Sequence, residues 1–225
     1  MEGRNNARHP VRRRSPRVIA KDLIVLAADK DTEFSIRGLL NRHLALRTRQ
    51  VQCDLFVHPE HDPGCRLRSQ AFLRPFVNLY QRALVIFDRE GCGREDHSRL
   101  EIEREAEDAL ASSGWKDRSS VIVIDPELEA WVWSDSPHVP TVLGWTDPAA
   151  DLHTWLQAHN FALLPNRKPS RPKEAMLATL RAMRKPPSAA RFQQLASKVS
   201  FTRCTDDAFL KLLTTLRRWF ASPPP

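Results

Sequence analysis

The sequence of 225 residues lacks the apolar segments that membrane-bound and secreted proteins carry. No apolar run approaches the roughly 20 residues that a helix needs to span a bilayer. The amino-terminal stretch is rich in arginine and has no apolar core, so it does not resemble a secretory signal. We therefore expect a cytoplasmic protein without a membrane partner. The length suits one α/β domain, alone or with a helical appendage.

Paired cysteines and glycine-rich phosphate loops are also missing. The four cysteines form no CxxC pair, so they do not predict a zinc site, and we expect reduced thiols. Neither a GxxxxGK(S/T) loop nor a GxGxxG loop occurs. A nucleotide-binding regulator that depends on one of these loops therefore has no support in the sequence.

Acidic residues are outnumbered by basic ones, 27 to 35, which gives a net charge of +8. Such an excess favours a polyanionic partner such as nucleic acid. Six arginines fall within residues 1–17, for which we predict a disordered arm that is either a solvated tail or a phosphate-binding segment. Residues 166–173 form a second basic segment, which is either a linker or a phosphate-facing loop. The predicted nucleic-acid-binding residues are Arg12, Arg13, Arg14, Arg167, Lys168, Arg171 and Lys173.

Apolar runs bounded by charge or glycine predict the strands. The strongest run lies within RALVIFDREG, residues 82–91, and is typical of a strand buried on both faces. Other strands are predicted over residues 18–28, 51–57 and 119–124, with amphipathic helices between them. This alternation predicts an α/β fold whose mostly parallel sheet is flanked by helices.

The composition changes after residue 134, where prolines become frequent and the predicted elements are helices. We therefore assign the α/β core to residues 18–135. Residues 136–225 are predicted to form a helical extension packed on or beside that core.

Three local features carry further predictions. Asp29 and Asp206 are expected to cap helices, and Pro126 to lie in the first turn of a short helix. Residues 58–65, HPEHDPGC, contain two histidines and two acids that could bind a metal, but their prolines and glycine favour a turn. Trp131 and Trp133 are interpreted as packing residues in preference to platforms for stacked bases.

Carboxylates directly follow three of the predicted strands. Asp29 follows the first, Asp88 and Glu90 follow the apolar run at 82–91, and the sequence DPELE at 125–129 follows the last. Because open parallel sheets place their ligand crevice at the carboxyl ends of the strands, these acids are expected to lie close together. Clustered carboxylates repel one another unless a cation is present, and Mg²⁺ and Mn²⁺ prefer oxygen ligands. The alternative is that each acid only caps a helix or solvates a loop.

A first strand followed by an acidic turn and a helix, and then a strand ending in Asp88-Arg89-Glu90, resembles the Toprim fold. Topoisomerases, primases and the OLD-type nucleases of phage defence share this fold, and the resemblance covers about residues 18–135. The second Toprim motif is Asp-x-Asp, which here ends in glutamate. The first motif has a glutamate near the end of strand one, where this chain has Ala28, so that Asp29, Asp31 or Glu33 would have to substitute.

Three later segments, IDPELEAW, RPKEAM and CTDDAFLKLL, resemble an uncharacterised Toprim-like family of bacterial defence loci, including systems associated with DNA methylation. The resemblance implies a Mg²⁺- or Mn²⁺-dependent nuclease or phosphodiesterase of anti-phage defence, with nucleic acid and other defence proteins as partners. The predicted catalytic residues are Asp88, Glu90 and Glu129. The predicted metal ligands are Asp29, Glu33, Asp88, Glu90, Asp125 and Glu127. The alternative, favoured by Ala28, is an eroded subunit that binds nucleic acid or a partner protein without catalysis.

Overall fold

The computed structural model describes residues 21–134, 136–147, 149–201 and 204–222, so the predicted arm over residues 1–17 lies outside the described residues. Within these ranges, four strands form one sheet in the order β2-β1-β3-β4, and every neighbouring pair is parallel. The strands are β1 (Lys21–Ala27), β2 (Cys53–Val57), β3 (Tyr80–Asp88) and β4 (Ser119–Ile124). The predicted α/β class, with a parallel sheet flanked by helices, is confirmed.

Helices connect the strands and follow the last of them. The α-helices of the described residues are α1 (Lys30–Leu40), α2 (His43–Leu46), α3 (His61–Leu73), α4 (Arg99–Leu110), α5 (Glu129–Val132), α6 (His138–Leu143), α7 (Leu152–Ala158), α8 (Pro172–Ala182), α9 (Ala189–Lys198) and α10 (Asp207–Trp219). None of these helices has both the length and the apolar character that crossing a bilayer requires.

The two faces of the sheet bury two different apolar clusters. Leu23 and Val25 of β1 belong to one cluster, and Ile24 and Leu26 belong to the other, and all four side chains are completely buried. Helices α3 and α4 cover the face of Ile24, while α1, α2 and the helices after β4 cover the face of Leu23. Burial on both faces explains why a continuous apolar run marks a central strand in the sequence.

The helices after β4 share their core with the sheet. Helix α9 packs against α1, and Phe192 and Ile36 lie in the same buried cluster. Arg42, between α1 and α2, fastens this contact, because its Nη1 donates to the carbonyl oxygens of Ala196 at 2.9 Å and Val199 at 2.6 Å. These helices therefore complete one apolar face of the sheet.

Two predicted helix caps are confirmed. Asp29 accepts the backbone N–H of Thr32 at 2.7 Å and starts α1. Asp206 accepts the N–H of Phe209 at 3.0 Å and starts α10. Each carboxylate satisfies an N–H group that would otherwise lack a partner within the helix.

Two local predictions are wrong. The turn predicted over residues 58–65 is largely helical, because α3 begins at His61 and contains Pro63 in its first turn. Pro126 was expected inside a helix, but it follows a cis peptide bond after Asp125, and α5 begins only at Glu129. Proline fits both a turn and a first helical turn, so its presence alone does not distinguish them.

Candidate functional site

The strand order creates a crevice at the carboxyl end of the sheet. The chain leaves β1 towards β2 on one side, whereas it leaves β3 towards β4 on the other side. Ligands of open α/β sheets bind where the strand order reverses in this way. Here the reversal lies between β1, which Asp29 follows, and β3, which ends at Asp88. The fold therefore brings two of the predicted acids to one crevice.

Asp88 has the most unusual environment of these acids. Its backbone N–H donates to Oδ1 of Asp62 at 2.8 Å. Its own Oδ1 is fully buried and has no hydrogen-bond partner among the described residues. Burial first, and then the carboxylate of Asp62, raise the pKa of Asp88 well above its ordinary value. The backbone N–H of Leu128 opposes this shift, and the carboxylates of Glu129 and Asp29 add to it. A buried oxygen without a partner carries a desolvation cost that a proton or a cation would relieve.

Asp62 is a member of this group that the sequence interpretation did not include among its site residues. It lies in the first turn of α3, shortly after β2. Burial raises the pKa of Asp62, the N–H of Asp88 opposes this shift, and the carboxylate of Asp29 adds to it. The available signal was its position, because it follows a strand end in the same way as the acids that were predicted. Because residues 58–65 were expected to form a turn, Asp62 was not considered as an acid at the start of a helix.

Glu127 and Glu129 reach the crevice from the segment after β4. Both residues are buried, with 5% and 8% of their surfaces exposed. Burial is the main cause that raises the pKa of Glu129 to about 7, and the carboxylate of Glu127 contributes to this shift. Burial also raises the pKa of Glu127, although the backbone N–H and the charge of Lys173 oppose it.

Lys173 is the cation that these carboxylates share. Its backbone N–H donates to Oε1 of Glu127 at 3.0 Å, and its Nζ lies 3.6 Å from Oε2 of the same residue. Burial lowers the pKa of Lys173, but the charges of Glu129, Glu127 and Asp88 outweigh burial, so the pKa is raised overall. The pKa of Asp31 is raised overall, first by burial and then by the carboxylate of Asp29, and the charge of Lys173 opposes this shift. The electrostatic influence of one ammonium group thus extends to acids that follow three strands.

Three other predicted ligands have different surroundings. Both oxygens of Glu33 are bound by basic residues, Oε2 by Lys30 and Oε1 by Arg37, each at 2.6 Å. The carboxylate of Asp125 lies 3.2 Å from Arg89. Glu90 is exposed, and its backbone N–H donates to the carbonyl oxygen of Pro126 at 3.0 Å. None of these three is therefore included in the acid cluster, which we define as Asp29, Asp62, Asp88 and Glu129.

The acid cluster offers the right donor atoms for a hard divalent cation. Carboxylate oxygens suit Mg²⁺ and Mn²⁺, and the unpartnered oxygen of Asp88 is a donor that nothing else uses in the described residues. No three His, Cys, Asp or Glu side chains in the described ranges are grouped as a ready metal site. The donor set therefore fits the chemistry of Mg²⁺, while its side chains are not prearranged around a common point.

The two histidines of the 58–65 segment hold the backbone. Nδ1 of His58 accepts the N–H of Glu60 at 3.1 Å, and Nδ1 of His61 lies 3.1 Å from the carbonyl oxygen of Ala28. A carbonyl oxygen can only accept, so Nδ1 of His61 carries the proton. These bonds support a structural role for both rings.

The basic segment at 166–173 lies beside the acids. Nζ of Lys168 donates to the carbonyl oxygen of Ala130 at 2.7 Å. The guanidinium of Arg171 lies 5.3 Å from the centre of the Phe161 ring. Arg167 is exposed. Of the predicted basic residues in this segment, Lys173 contacts an acid of the crevice through Glu127. Arg12, Arg13 and Arg14 lie outside the described residues.

The two tryptophans of α5 and its end are packed within the protein. Nε1 of Trp131 donates to Oδ1 of Asp206 at 2.8 Å, and Nε1 of Trp133 donates to the carbonyl oxygen of Pro172 at 2.9 Å. Both side chains are at least nine-tenths buried. They therefore anchor α5 to α8 and α10 and do not present a face to a nucleic-acid base.

No family model, curated protein or solved structure matches this chain. The functional interpretation therefore depends on the geometry and charge of its own residues.

Proposed function

We propose that this chain is a Toprim-like, Mg²⁺-dependent phosphodiesterase or nuclease that acts in bacterial anti-phage defence in the cytoplasm. The observation that carries the proposal is the buried, unpartnered carboxylate oxygen of Asp88 among the carboxylates of Asp29, Asp62 and Glu129. A cluster of this kind is unfavourable in the absence of a cation, and strongly perturbed acids in a crevice are typical of functional sites. The resemblance to Toprim proteins rests on the sequence motifs alone.

The acid cluster would bind the metal ion, and Lys173 would bind the substrate. Asp88, Asp29 and Glu129 would hold the divalent ion, with Asp62 keeping the backbone of Asp88 in place. A bound Mg²⁺ or Mn²⁺ supplies charge for a transferring phosphoryl group and lowers the pKa of bound water. Lys173 is held at the edge of the cluster by Glu127, where its ammonium group can bind a substrate phosphate.

The other basic residues would extend the contact along a nucleic-acid backbone. Arg167 and Arg171 are exposed and lie in the same segment as Lys173, and the net charge of +8 favours a polyanion. Contacts of this kind bind phosphate without reading sequence. Specificity would then come from partner proteins of a defence complex.

A second function is favoured by Ala28. This residue is 1% exposed, its N–H donates to the carbonyl oxygen of Ile86 at 3.1 Å, and it has no carboxylate. If the glutamate of the first Toprim motif is essential, the chain is a subunit that binds nucleic acid or a partner without catalysis. Binding of a divalent ion separates the two functions.

The test combines metal binding with hydrolysis. Mn²⁺ binding is measured by electron paramagnetic resonance, and hydrolysis of single-stranded DNA, duplex DNA, RNA and a nitrophenyl phosphodiester is measured with Mg²⁺ or Mn²⁺. The wild type should bind Mn²⁺ saturably and cleave at least one substrate. Asp88→Asn should lose at least tenfold in Mn²⁺ affinity and all cleavage, while its fold by circular dichroism is unchanged.

Asp117→Asn is the matched control. Asp117 is exposed in the turn before β4, at the opposite end of the sheet, and its φ of 60° is tolerated by asparagine. This variant should bind Mn²⁺ and cleave as the wild type does. A wild type without a saturable Mn²⁺ site would refute the enzyme and favour the binding subunit.

A further inference from the structure

The two edges of the sheet differ in whether side chains bind their outward backbone groups. At the β4 edge, Oε1 of Glu107 accepts the N–H of Val121 at 2.9 Å, and Oε1 of Glu103 accepts the N–H of Val123 at 3.0 Å. Nζ of Lys211 donates to the carbonyl oxygen of Val121 at 2.8 Å. Side chains of α4 and α10 thus occupy the groups that another strand would use. The β4 edge is closed to strand addition.

The outward groups of β2 can be identified from its pairing with β1. Leu23 donates to the carbonyl oxygen of Gln52, and His58 donates to that of Ala27, so the even-numbered residues face β1. Backbone groups alternate in direction along a strand, so the N–H and C=O groups of Cys53, Leu55 and Val57 face outward. Among the described residues, none makes a hydrogen bond to these outward groups.

The two edge strands, β2 and β4, also differ in how exposed their residues are. Every residue of β2 is half-buried, whereas in β4 every residue after Ser119 is buried. The strand CDLFV contains neither lysine nor proline, two of the devices that protect exposed edges. Asp54 is the one acidic residue of β2. Its carboxylate lies 2.7 Å from Nζ of Lys21 and accepts a hydrogen bond from the hydroxyl group of Tyr80. Within the described part of the chain, the β2 edge is therefore open and largely apolar, and its one charged side chain is paired.

We propose that a second copy of this chain pairs antiparallel with β2 across a twofold axis at Leu55. In this register Leu55 faces the partner's Leu55, and Cys53 faces the partner's Val57. Each of these pairs would exchange two N–H···O bonds, and the facing side chains are apolar. Asp54 would face the partner's Phe56, so no like charges would be opposed. The strand is thus complementary to itself in a way that a foreign peptide would match only by chance.

The neighbouring register is unfavourable. An axis at Asp54 would place the carboxylates of two copies directly opposite each other in a pair whose Cβ atoms lie about 5 Å apart. The register at Leu55 also uses all three outward residues. An axis at Phe56 would place Cys53 opposite Pro59, which lies outside β2 and has no N–H. The sequence of β2 therefore favours the register at Leu55, in which the described strands of two copies would form one sheet of eight strands.

Antiparallel pairing sets the relation between the two crevices. The carboxyl end of the partner's sheet would lie on the opposite side of the assembly, so the two acid clusters would face opposite directions. Each copy would then engage its own nucleic-acid segment. The dimer itself does not depend on the proposed catalytic function, because the β2 edge contains none of the acid-cluster residues.

Disulfide cross-linking of the full-length protein tests the register. In Cys53→Ser protein, Leu55→Cys should give an intermolecular disulfide with a copper–phenanthroline oxidant, because paired residues there lie about 5.5 Å apart at Cα. Val57→Cys should cross-link when Cys53 is present. Val57→Cys combined with Cys53→Ser is the matched control, and it should remain uncross-linked because the two substituted sites would lie more than about 10 Å apart.

Sedimentation velocity over a concentration series tests the dimer without cross-linking. The wild type should be a dimer, and Leu55→Pro should be a folded monomer, because the N–H that proline removes has no partner among the residues that the structure describes. A wild type that is monomeric at every concentration would refute the proposal and leave the edge to a different protein. A dimer that survives Leu55→Pro, or that cross-links only through the control, would also overturn it.

Discussion

Replacing Glu129 by glutamine should stabilise the metal-free protein at alkaline pH. Glu129 is 8% exposed, and burial raises its pKa from the ordinary value of 4.5 to about 7. Its ionised form is therefore less favourable in the folded protein than in the unfolded chain. Glutamine has nearly the same shape and no charge, so it removes this penalty.

The sign follows from proton binding. Between pH 4.5 and about 7, the folded protein binds the proton of Glu129 more tightly than the unfolded chain does, so stability falls as the pH rises through this range. The interval corresponds to about 3 kcal/mol at roughly 1.4 kcal/mol for each pH unit. Asp88, Asp62 and Glu127 also have raised pKa values and contribute in the same direction.

Urea unfolding in EDTA at pH 5 and at pH 8 measures the effect. The wild type should lose several kcal/mol between the two pH values, and Glu129→Gln should lose about 2 to 3 kcal/mol less. Glu105→Gln is the control, because it removes the same charge from the exposed face of α4, where Glu105 lies 3.3 Å from Arg94. It should keep the pH dependence of the wild type.

Two results would refute this reasoning. If Glu129→Gln unfolds with the wild-type pH dependence, then ionising Glu129 does not destabilise the folded protein, and burial does not raise its pKa. If the control changes the pH dependence equally, then the net charge of the protein governs the effect. Saturating Mn²⁺ should reduce the alkaline loss in the wild type and have less effect on Glu129→Gln.

Three further predictions concern the basic residues. Lys173→Gln should lower stability more at pH 8 than at pH 5, since the acids that Lys173 neutralises would ionise at a greater cost; equal losses in urea unfolding at both pH values would contradict this. Lys211→Met should cost about 3 kcal/mol in urea unfolding, because it leaves buried Glu103 without one of its cations, and exposed Lys116→Met should cost little. Deleting residues 1–17 should flatten the salt dependence of duplex DNA binding by about 0.9 for each phosphate that these residues neutralise, and an unchanged slope would assign the segment to solubility alone.

The sequence was sufficient to predict the α/β fold class because the central strands are buried on both faces. The apolar run that ends at Phe87 has no periodic polar residue, and it corresponds to β3. The parallel order could be inferred because helices separate the strands. The strand order within the sheet is not a local property, since it depends on which face of the sheet each connecting helix covers.

The sequence could predict which acids lie at the crevice only where the backbone fixes their position. Asp29 and Asp88 follow strand ends directly, so the sheet alone places them at one crevice. Glu33 was expected near them because it is four residues from Asp29, yet Lys30 and Arg37 flank it on its own helix and bind both of its oxygens. Choosing between a ligand and an ion pair required the rotamers, which the spacing of residues does not give.

Asp62 was missed in the sequence for a related reason. Its segment contains proline and glycine, which favour a turn, and Gly64 fits there because a Cβ atom would lie 2.1 Å from Nδ1 of His58. The same glycine lies inside α3, so the local signal for a turn was misleading. Only the close approach of α3 to the end of β3 shows that Asp62 is bound to the backbone of Asp88.

The contrast among the acids of this chain argues that the acid cluster is functional. Asp22 is paired with Arg49 and Asp54 with Lys21, and these hydrogen-bonded partners lower the pKa of each carboxyl. Each of these two structural carboxylates thus has a basic partner. At the crevice, by contrast, Oδ1 of Asp88 is buried without a hydrogen-bond partner among the described residues. The pKa of Asp88 is raised well above its ordinary value, so ionising this carboxyl group is costly, and a cation that binds there would offset that cost.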